Sequence, residues 1–180
     1  MLKLALVVAL GVAALPTVAQ HARPYAGMHE RSIKALSDQQ IDDLKAGRGM
    51  GLALPAELNG YPGPSHALEL TERIGLSPEH GAKLRTLFAA MKADAIPLGE
   101  RLIREEAHLD HLFASKSVTP EALATATRDI GLTQAELRNA HLKYHLATVA
   151  IMSPEQVKRY GELRGYAAGG AHPRGHSAVP

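Results

Sequence analysis

Residues 77–113 read SPEHGAKLRTLFAAMKADAIPLGERLIREEAHLDHLF, and this stretch decides the fold of the chain. Ser77 and Pro78 form a helix start, because a serine side chain can cap the first turn and proline suits the first helical position. The apolar residues that follow recur every three or four positions, as on one face of a helix: Leu84, Phe88, Met91, Ala95, Leu98, Leu102, Leu109 and Leu112. A helix of this length spans about 54 Å, so we expect an equally long partner to cover its apolar seam.

A second long helix supplies that partner. Thr119-Pro120-Glu121 repeats the start signal, and small or apolar residues again recur every three or four positions up to Ile151. Because only a few residues join the two helices, they should be antiparallel neighbours. Pro97 predicts a bend in the first helix, and Glu105, the one charge on its seam, is expected to pair with Arg128.

Shorter helices are expected on both sides of this hairpin. We predict them within residues 37–47, within residues 53–58, from Ser65 to Gly75, and from Ser153 to Gly165. No segment favours a strand. The sequence therefore predicts an all-α fold, a long antiparallel helical hairpin with a short helix hooked back at each end.

The N-terminus has the pattern of a secretory signal peptide. Lys3 precedes an apolar run from Leu4 to Leu15, and small residues stand at the −3 and −1 positions of a cleavage site after Ala19. The run is shorter than the about 20 residues that a membrane span needs. We predict four segments: a signal peptide in residues 1–19, an N-terminal extension in residues 20–64, the hairpin domain in residues 65–166 and a disordered tail in residues 167–180. The mature chain is expected to be exported and to have no membrane span.

Composition narrows the classes of function. Twenty Lys and Arg residues against 18 Asp and Glu residues give a net charge of +2, which gives no case for a nucleic-acid partner. Cysteine is absent, so a metal site would have to use histidine, methionine or carboxylates. The chain has no nucleophile motif, phosphate loop or carboxylate pair, and we predict that it is not an enzyme.

The helix starts carry a resemblance to a known family. Leu76-Ser77-Pro78-Glu79-His80 and Met152-Ser153-Pro154-Glu155-Gln156 are similar to two copies of a Leu-Thr-x-x-Gln motif. Paired copies that flank a long helical hairpin resemble the Spy/CpxP family of periplasmic stress proteins and the related heavy-metal-resistance sensors. The resemblance covers about residues 65–166.

This resemblance implies a periplasmic, commonly dimeric, four-helix hooked hairpin. Members of the family are either ATP-independent chaperones or metal-binding sensors. We therefore predict a homodimer that binds unfolded or envelope-protein clients through a helical cradle and requires no cofactor. The alternative is a sensor or buffer that binds a divalent ion, Zn, Ni, Co or Cu, with a membrane sensor protein as its partner.

His141 and His145 are the candidate metal ligands. Their spacing of four residues places both imidazoles on one helix face, half-buried, where they can bind one ion. The resemblance implies a further ligand from the first short helix, and His66 stands there. The sensors carry a His-x-x-x-Met pair where this chain has His141 and His145. The other interpretation is that the two histidines pack in the core and form hydrogen bonds between helices.

The remaining paired histidines are weaker candidates. His108 and His111 are expected on the solvated face near the hairpin tip, about 30 Å from the His141 pair at 1.5 Å per helical residue. His172 and His176 lie in the predicted tail, where chelation would lack a preset geometry.

Overall fold

The computed structural model describes residues 25–166. In this range the chain forms a 3-10 turn at Met28–Glu30 and the helices α1 (Asp38–Lys45), α2 (Leu54–Glu57), α3 (Pro64–Glu69), α4 (Pro78–Ala114), α5 (Pro120–Val149) and α6 (Pro154–Arg164). Across residues 25–166 no strand forms, apart from one isolated bridge between Ile33 and Leu36. The all-α prediction is confirmed. The predicted signal peptide and tail lie outside the described residues.

The three strongest helix-start signals are the observed starts. Ser77, Thr119 and Ser153 each accept, on the side-chain oxygen, a hydrogen bond from the backbone N–H three residues on. At Ser153 the side chain of Gln156 also accepts from the backbone N–H of the capping serine, which completes a capping box. These contacts span three residues, and this is why the sequence could locate them.

Helix α3 differs from its predicted bounds. It begins at Pro64, with Gly63 as an N-cap that makes no side-chain hydrogen bond, so Ser65 is not the cap. It also ends at Glu69 instead of Gly75. The Thr71 hydroxyl donates to the Leu68 carbonyl at 2.7 Å in the turn that follows the helix.

Helices α4 and α5 pack as the predicted antiparallel hairpin, and α4 runs continuously through Pro97. Cross-helix contacts fix the register: Tyr144 donates to Asp94 at 2.7 Å, and Arg101 lies 3.1 Å from Glu136. The pair predicted between Glu105 and Arg128 does not form.

Glu105 instead accepts from Nε of Arg101 at 2.8 Å, one turn earlier on the same helix. That spacing brings the two side chains together without a second helix, and the same guanidinium reaches Glu136 on α5. Arg128 is exposed.

The N-terminal segment provides a third layer over the hairpin. One core cluster joins it to α4 and α5 and consists of Ile33, Leu36, Leu44, Ala95, Leu102, Ile130 and Leu137. The uncovered seam that motivated the homodimer prediction is thus partly covered by the same chain. The homodimer stays a prediction.

A second core cluster lies at the open end of the hairpin. It joins α3 and α6 to the start of α4 and consists of Ala67, Ile74, Leu76, Leu84, Met152 and Tyr160. This cluster holds the short helices in their hooked positions. Among the helices of residues 25–166, none combines the length and the hydropathy that a bilayer span requires.

The close approach of α1 to α4 at Gly99 provides a test of the three-layer packing. A Cβ at Gly99 would lie 2.5 Å from the carbonyl oxygen of Leu44. We expect Gly99→Ala to lower the free energy of unfolding by about 1–3 kcal/mol in urea denaturation, because backbone must move apart. Gly131→Ala in α5 meets no atom of residues 25–166 within 4 Å and should raise stability by up to about 1 kcal/mol. Equal effects of the two substitutions would contradict the packing of α1 on α4.

Candidate metal site

A cavity of about 530 Å³ lies between the N-terminal segment and the hairpin. The loop after α1 and helices α2 and α3 form one wall, and α4 and α5 form the other. All three predicted ligands line it: His66, His141 and His145. The structure therefore places all three at one cavity. His141 and His145 are only 2% and 5% exposed, more buried than predicted, because the N-terminal segment covers this face of α5.

One ring nitrogen of His145 forms a hydrogen bond with the backbone, and this bond sets the orientation of the ring. Its Nδ1 lies 2.7 Å from the carbonyl oxygen of Tyr61. A carbonyl can only accept, so Nδ1 donates its proton and Nε2 is the ring nitrogen that can accept or bind a metal in the neutral tautomer. A Cβ on Gly63 would stand 2.8 Å from Cε1 and 3.0 Å from Nε2, so glycine at this position keeps that edge of the ring uncovered.

His66 repeats the arrangement with a carboxylate as its acceptor. Its Nδ1 lies 2.7 Å from Oε1 of Glu57. The carboxylate accepts, so Nδ1 donates and Nε2 is the other ring position. In metalloproteins a ligating histidine typically gives its second N–H to a carboxylate or a carbonyl, which sets the orientation of the ring. Glu57 and the Tyr61 carbonyl stand in those two roles here.

His141 is buried with Nε2 unpartnered in the part of the chain that the structure describes. Burial, together with the neighbouring His145, lowers the pKa of His141. The ring is therefore neutral at neutral pH, the state that a metal ligand requires. A buried polar atom without a hydrogen bond costs about 1–3 kcal/mol, so this nitrogen is a feature that packing alone does not explain.

Glu57 is the residue that sequence reasoning missed. This residue is 6% exposed, and its two carboxylate oxygens accept from the backbone N–H of Gly63 at 3.2 Å, from His66, and from the hydroxyl of Tyr160 at 2.7 Å. Burial alone would raise the pKa of Glu57, but the bonds from His66 and Tyr160 outweigh it and hold the pKa below its usual value. Tyr160 is 103 residues away in sequence, so no local pattern points to this contact.

The Glu57 carboxylate also ties α6 to the cavity. Burial and the carboxylate raise the pKa of Tyr160 strongly, so the hydroxyl stays protonated and donates. Nε of Arg164 approaches the Tyr160 oxygen at 3.5 Å, and the guanidinium pairs with Glu69 of α3 at 3.6 Å. The carboxyl end of α6 is therefore connected to α2 and α3.

The donor set suits a transition metal, although the rings do not converge on one point. Within residues 25–166 no three His, Cys, Asp or Glu side chains stand in metal-binding geometry. The residues His66, His145 and His141 nevertheless line one cavity, and neutral imidazole is a ligand for Zn, Ni, Co and Cu.

The other histidines do not reach this cavity in the described part of the chain. His108 and His111 are exposed on α4, as predicted. His172 and His176 lie outside the described residues.

The contact between Tyr160 and Glu57 can be tested by removing one oxygen. Tyr160→Phe keeps the ring and leaves the buried carboxylate short of one donor, so we expect a loss of about 1.5–3 kcal/mol in the free energy of unfolding. Tyr144→Phe is the matched control: it removes a hydrogen bond to Asp94, a partly exposed carboxylate that water can solvate. Its effect in chemical denaturation should be clearly smaller. Equal losses would argue against an ionised, buried Glu57.

The family model for heavy-metal resistance matches residues 49–159. The match begins in the loop before α2 and ends within α6, so it includes His66, His141 and His145. No curated protein and no solved structure matches the chain at a significant level. Because the matched residues make up more than half of the chain, and because the two helix-start motifs indicate the same relationship, the protein belongs to the heavy-metal resistance family.

Proposed function

We propose that the protein is a non-enzymatic periplasmic metal sensor or buffer that binds a transition-metal ion through His141, His145 and His66. One observation carries the proposal. His145 and His66 both give their Nδ1–H to an oxygen of the protein, and both residues line the same cavity as His141, whose buried Nε2 has no partner in the described part of the chain. Membership of the heavy-metal resistance family and the predicted signal peptide support the location and the class of ligand.

The proposed ligands come from two separate parts of the fold. His141 and His145 are on α5, whereas His66 is on α3. An ion bound to all three would connect the N-terminal segment to the hairpin. It would act as a Lewis acid that the histidines coordinate, and it would catalyse no reaction. Since it binds only the folded arrangement, the ion should also stabilise the protein by mass action.

The metal prediction uses paired histidine substitutions. We expect His141→Ala, His145→Ala to abolish tight Zn(II) binding in calorimetric titration and to abolish the rise in melting temperature on adding Zn(II). His108→Ala, His111→Ala is the matched control and should leave both unchanged, because those rings are exposed and far from the cavity.

A control must distinguish metal binding at this site from loose chelation by the histidines of the predicted tail. A variant carrying His172→Ala and His176→Ala should keep the tight site. If those tail substitutions remove all binding while His141→Ala, His145→Ala removes none, the cavity histidines are packing residues and the proposal fails.

A second candidate function, chaperone-like binding of unfolded clients, is supported by a different surface. Leu132 and Leu146 of α5 are 53% and 62% exposed. Leu142, Leu146 and Val149 recur at helical spacing along α5, with Leu142 and Val149 partly exposed, and Leu132 lies ten residues before Leu142 on the same helix. An exposed apolar stripe of this kind is a feature of protein-binding surfaces. It supports client binding without nucleotide, the function that the sequence predicted first.

The chaperone prediction compares the stripe with an apolar residue elsewhere. Without ATP, the wild-type protein should suppress light scattering by an aggregating client at a stoichiometric ratio. Leu132→Gln, Leu146→Gln should reduce this suppression at least by half, in keeping with the loss of the main exposed apolar groups of the stripe. Phe113→Gln removes an equally exposed side chain at the hairpin tip and should have little effect. No suppression by the wild type with several unrelated clients would leave metal binding as the function.

A further inference from the structure

We propose that the cavity between the N-terminal segment and the hairpin binds a small, uncharged organic molecule with a largely apolar body. Its volume of about 530 Å³ lies in the range of roughly 300–1,000 Å³ that is usual for small-molecule sites in proteins. A water molecule takes up about 30 Å³ of liquid, so an ion with one or two waters would leave most of this space unfilled. The inference concerns that remaining space and is independent of the metal ion of the proposed function.

The opening of the cavity is apolar. Met50, Leu54 and Tyr166 line the cavity and are also exposed, so they stand at its opening. Phe88 and the buried Met91, both on α4, line it as well. Exposed apolar groups that gather around a concave site are characteristic of a surface that a ligand covers. Because an apolar body displaces water from these groups when it enters, each of them contributes to binding.

The loop between α1 and α2 holds this space open with small residues. A Cβ on Gly49 would stand 3.6 Å from Nδ1 of His141, and a Cβ on Gly51 would stand 3.4 Å from Cδ1 of Leu54. The backbone N–H groups of Leu52 and Leu54 donate to the carbonyls of Gly49 and Gly51 at 2.7 and 3.1 Å. These local bonds fix the loop, so that ligand binding does not have to order it.

The charges around the cavity favour an uncharged ligand. Two of the four Arg, Lys and Glu side chains that line it are paired with an opposite charge: Arg48 with Asp43, and Glu69 with Arg164. The other two are opposite in sign, the anionic Glu57 and the cationic Lys92, whose Nζ lies 5.9 Å from the centre of the Phe88 ring. The lining therefore has no net charge. A charged ligand would gain no net attraction there, although it would lose its hydration, whereas an uncharged ligand has little hydration to lose.

Fluorescence titration of the protein with phenylnaphthylamine tests the inference, because this uncharged dye emits strongly only in apolar surroundings. Anilinonaphthalene sulfonate is the matched charged probe, since it carries one sulfonate on the same ring system. Both titrations contain a metal chelator, so that no ion occupies the histidines. We expect one molecule of the uncharged dye per chain, bound at least about tenfold more tightly than the sulfonate.

Substitutions locate the dye in the cavity. Leu54→Gln should weaken binding of the uncharged dye at least about fivefold, since it removes an apolar side chain at the opening. Gly49→Leu should weaken it at least about tenfold, because the backbone of Gly49 is not left-handed and the added side chain occupies the cavity. Leu58→Gln is the matched control, since Leu58 is 56% exposed against 53% for Leu54 and does not line the cavity. This control and Leu132→Gln, Leu146→Gln on α5 should change the affinity less than about twofold.

The outcomes separate this inference from the metal-binding function. Equal affinity for the two dyes would overturn the preference for an uncharged ligand. Binding that falls with the Leu58 or α5 substitutions, and not with those at Leu54 and Gly49, would place the dye on the outer surface and overturn the site. A wild-type protein that binds Zn(II) and neither dye would overturn this inference alone, and one that binds the uncharged dye but no Zn(II) would overturn the metal site alone.

Discussion

The buried carboxylate of Glu57 is the interaction on which the open end of the molecule depends. An ionised group in this position must be fully hydrogen-bonded, because an unpaired buried charge is strongly destabilising. Its donors come from three places: the turn before α3, helix α3 itself and helix α6. Satisfying one charge therefore holds three segments together, and it fixes the ring of His66 at the same time.

Two features that cost stability lie at the same cavity. Within residues 25–166 His141 is buried with an unpartnered nitrogen, and Met50 adopts a left-handed backbone conformation. Other such features lie away from it: Lys116 at the hairpin tip is also left-handed, and buried polar atoms of His80, Glu105 and Thr133 have no partner in the described part of the chain. The long helices themselves follow local preference, since they begin at side-chain caps and their apolar faces are in the core.

The N-terminal segment converts a two-helix hairpin into a protein with an interior. Leu44 and its neighbours cover α4 and α5 in the first core cluster, and the carbonyl of Leu44 approaches Gly99 too closely for any other residue at that position. The same segment closes over α5 at His141 and His145, which explains their burial. A hairpin alone would leave both rings at the surface, where two imidazoles bind metals only weakly.

The sequence by itself determined the local elements and the family. Caps at Ser77, Thr119 and Ser153 and an apolar period of three to four residues are read within one or two helical turns, so the hairpin was predictable. The helix-start motifs pointed to the family, and the four-residue spacing placed His141 and His145 on one face.

Only the tertiary structure decided which side chains meet across the chain. The bond between Glu57 and Tyr160 joins residues that no local pattern connects, and the Tyr61 carbonyl selects the nitrogen of His145 that is left to accept. The prediction that Glu105 pairs with Arg128 was wrong for the same reason. Whether Arg101 or Arg128 reaches the carboxylate depends on how the side chains are placed in three dimensions. Backbone hydrogen bonds and periodicity are local in sequence, whereas burial and ring orientation depend on packing between distant segments.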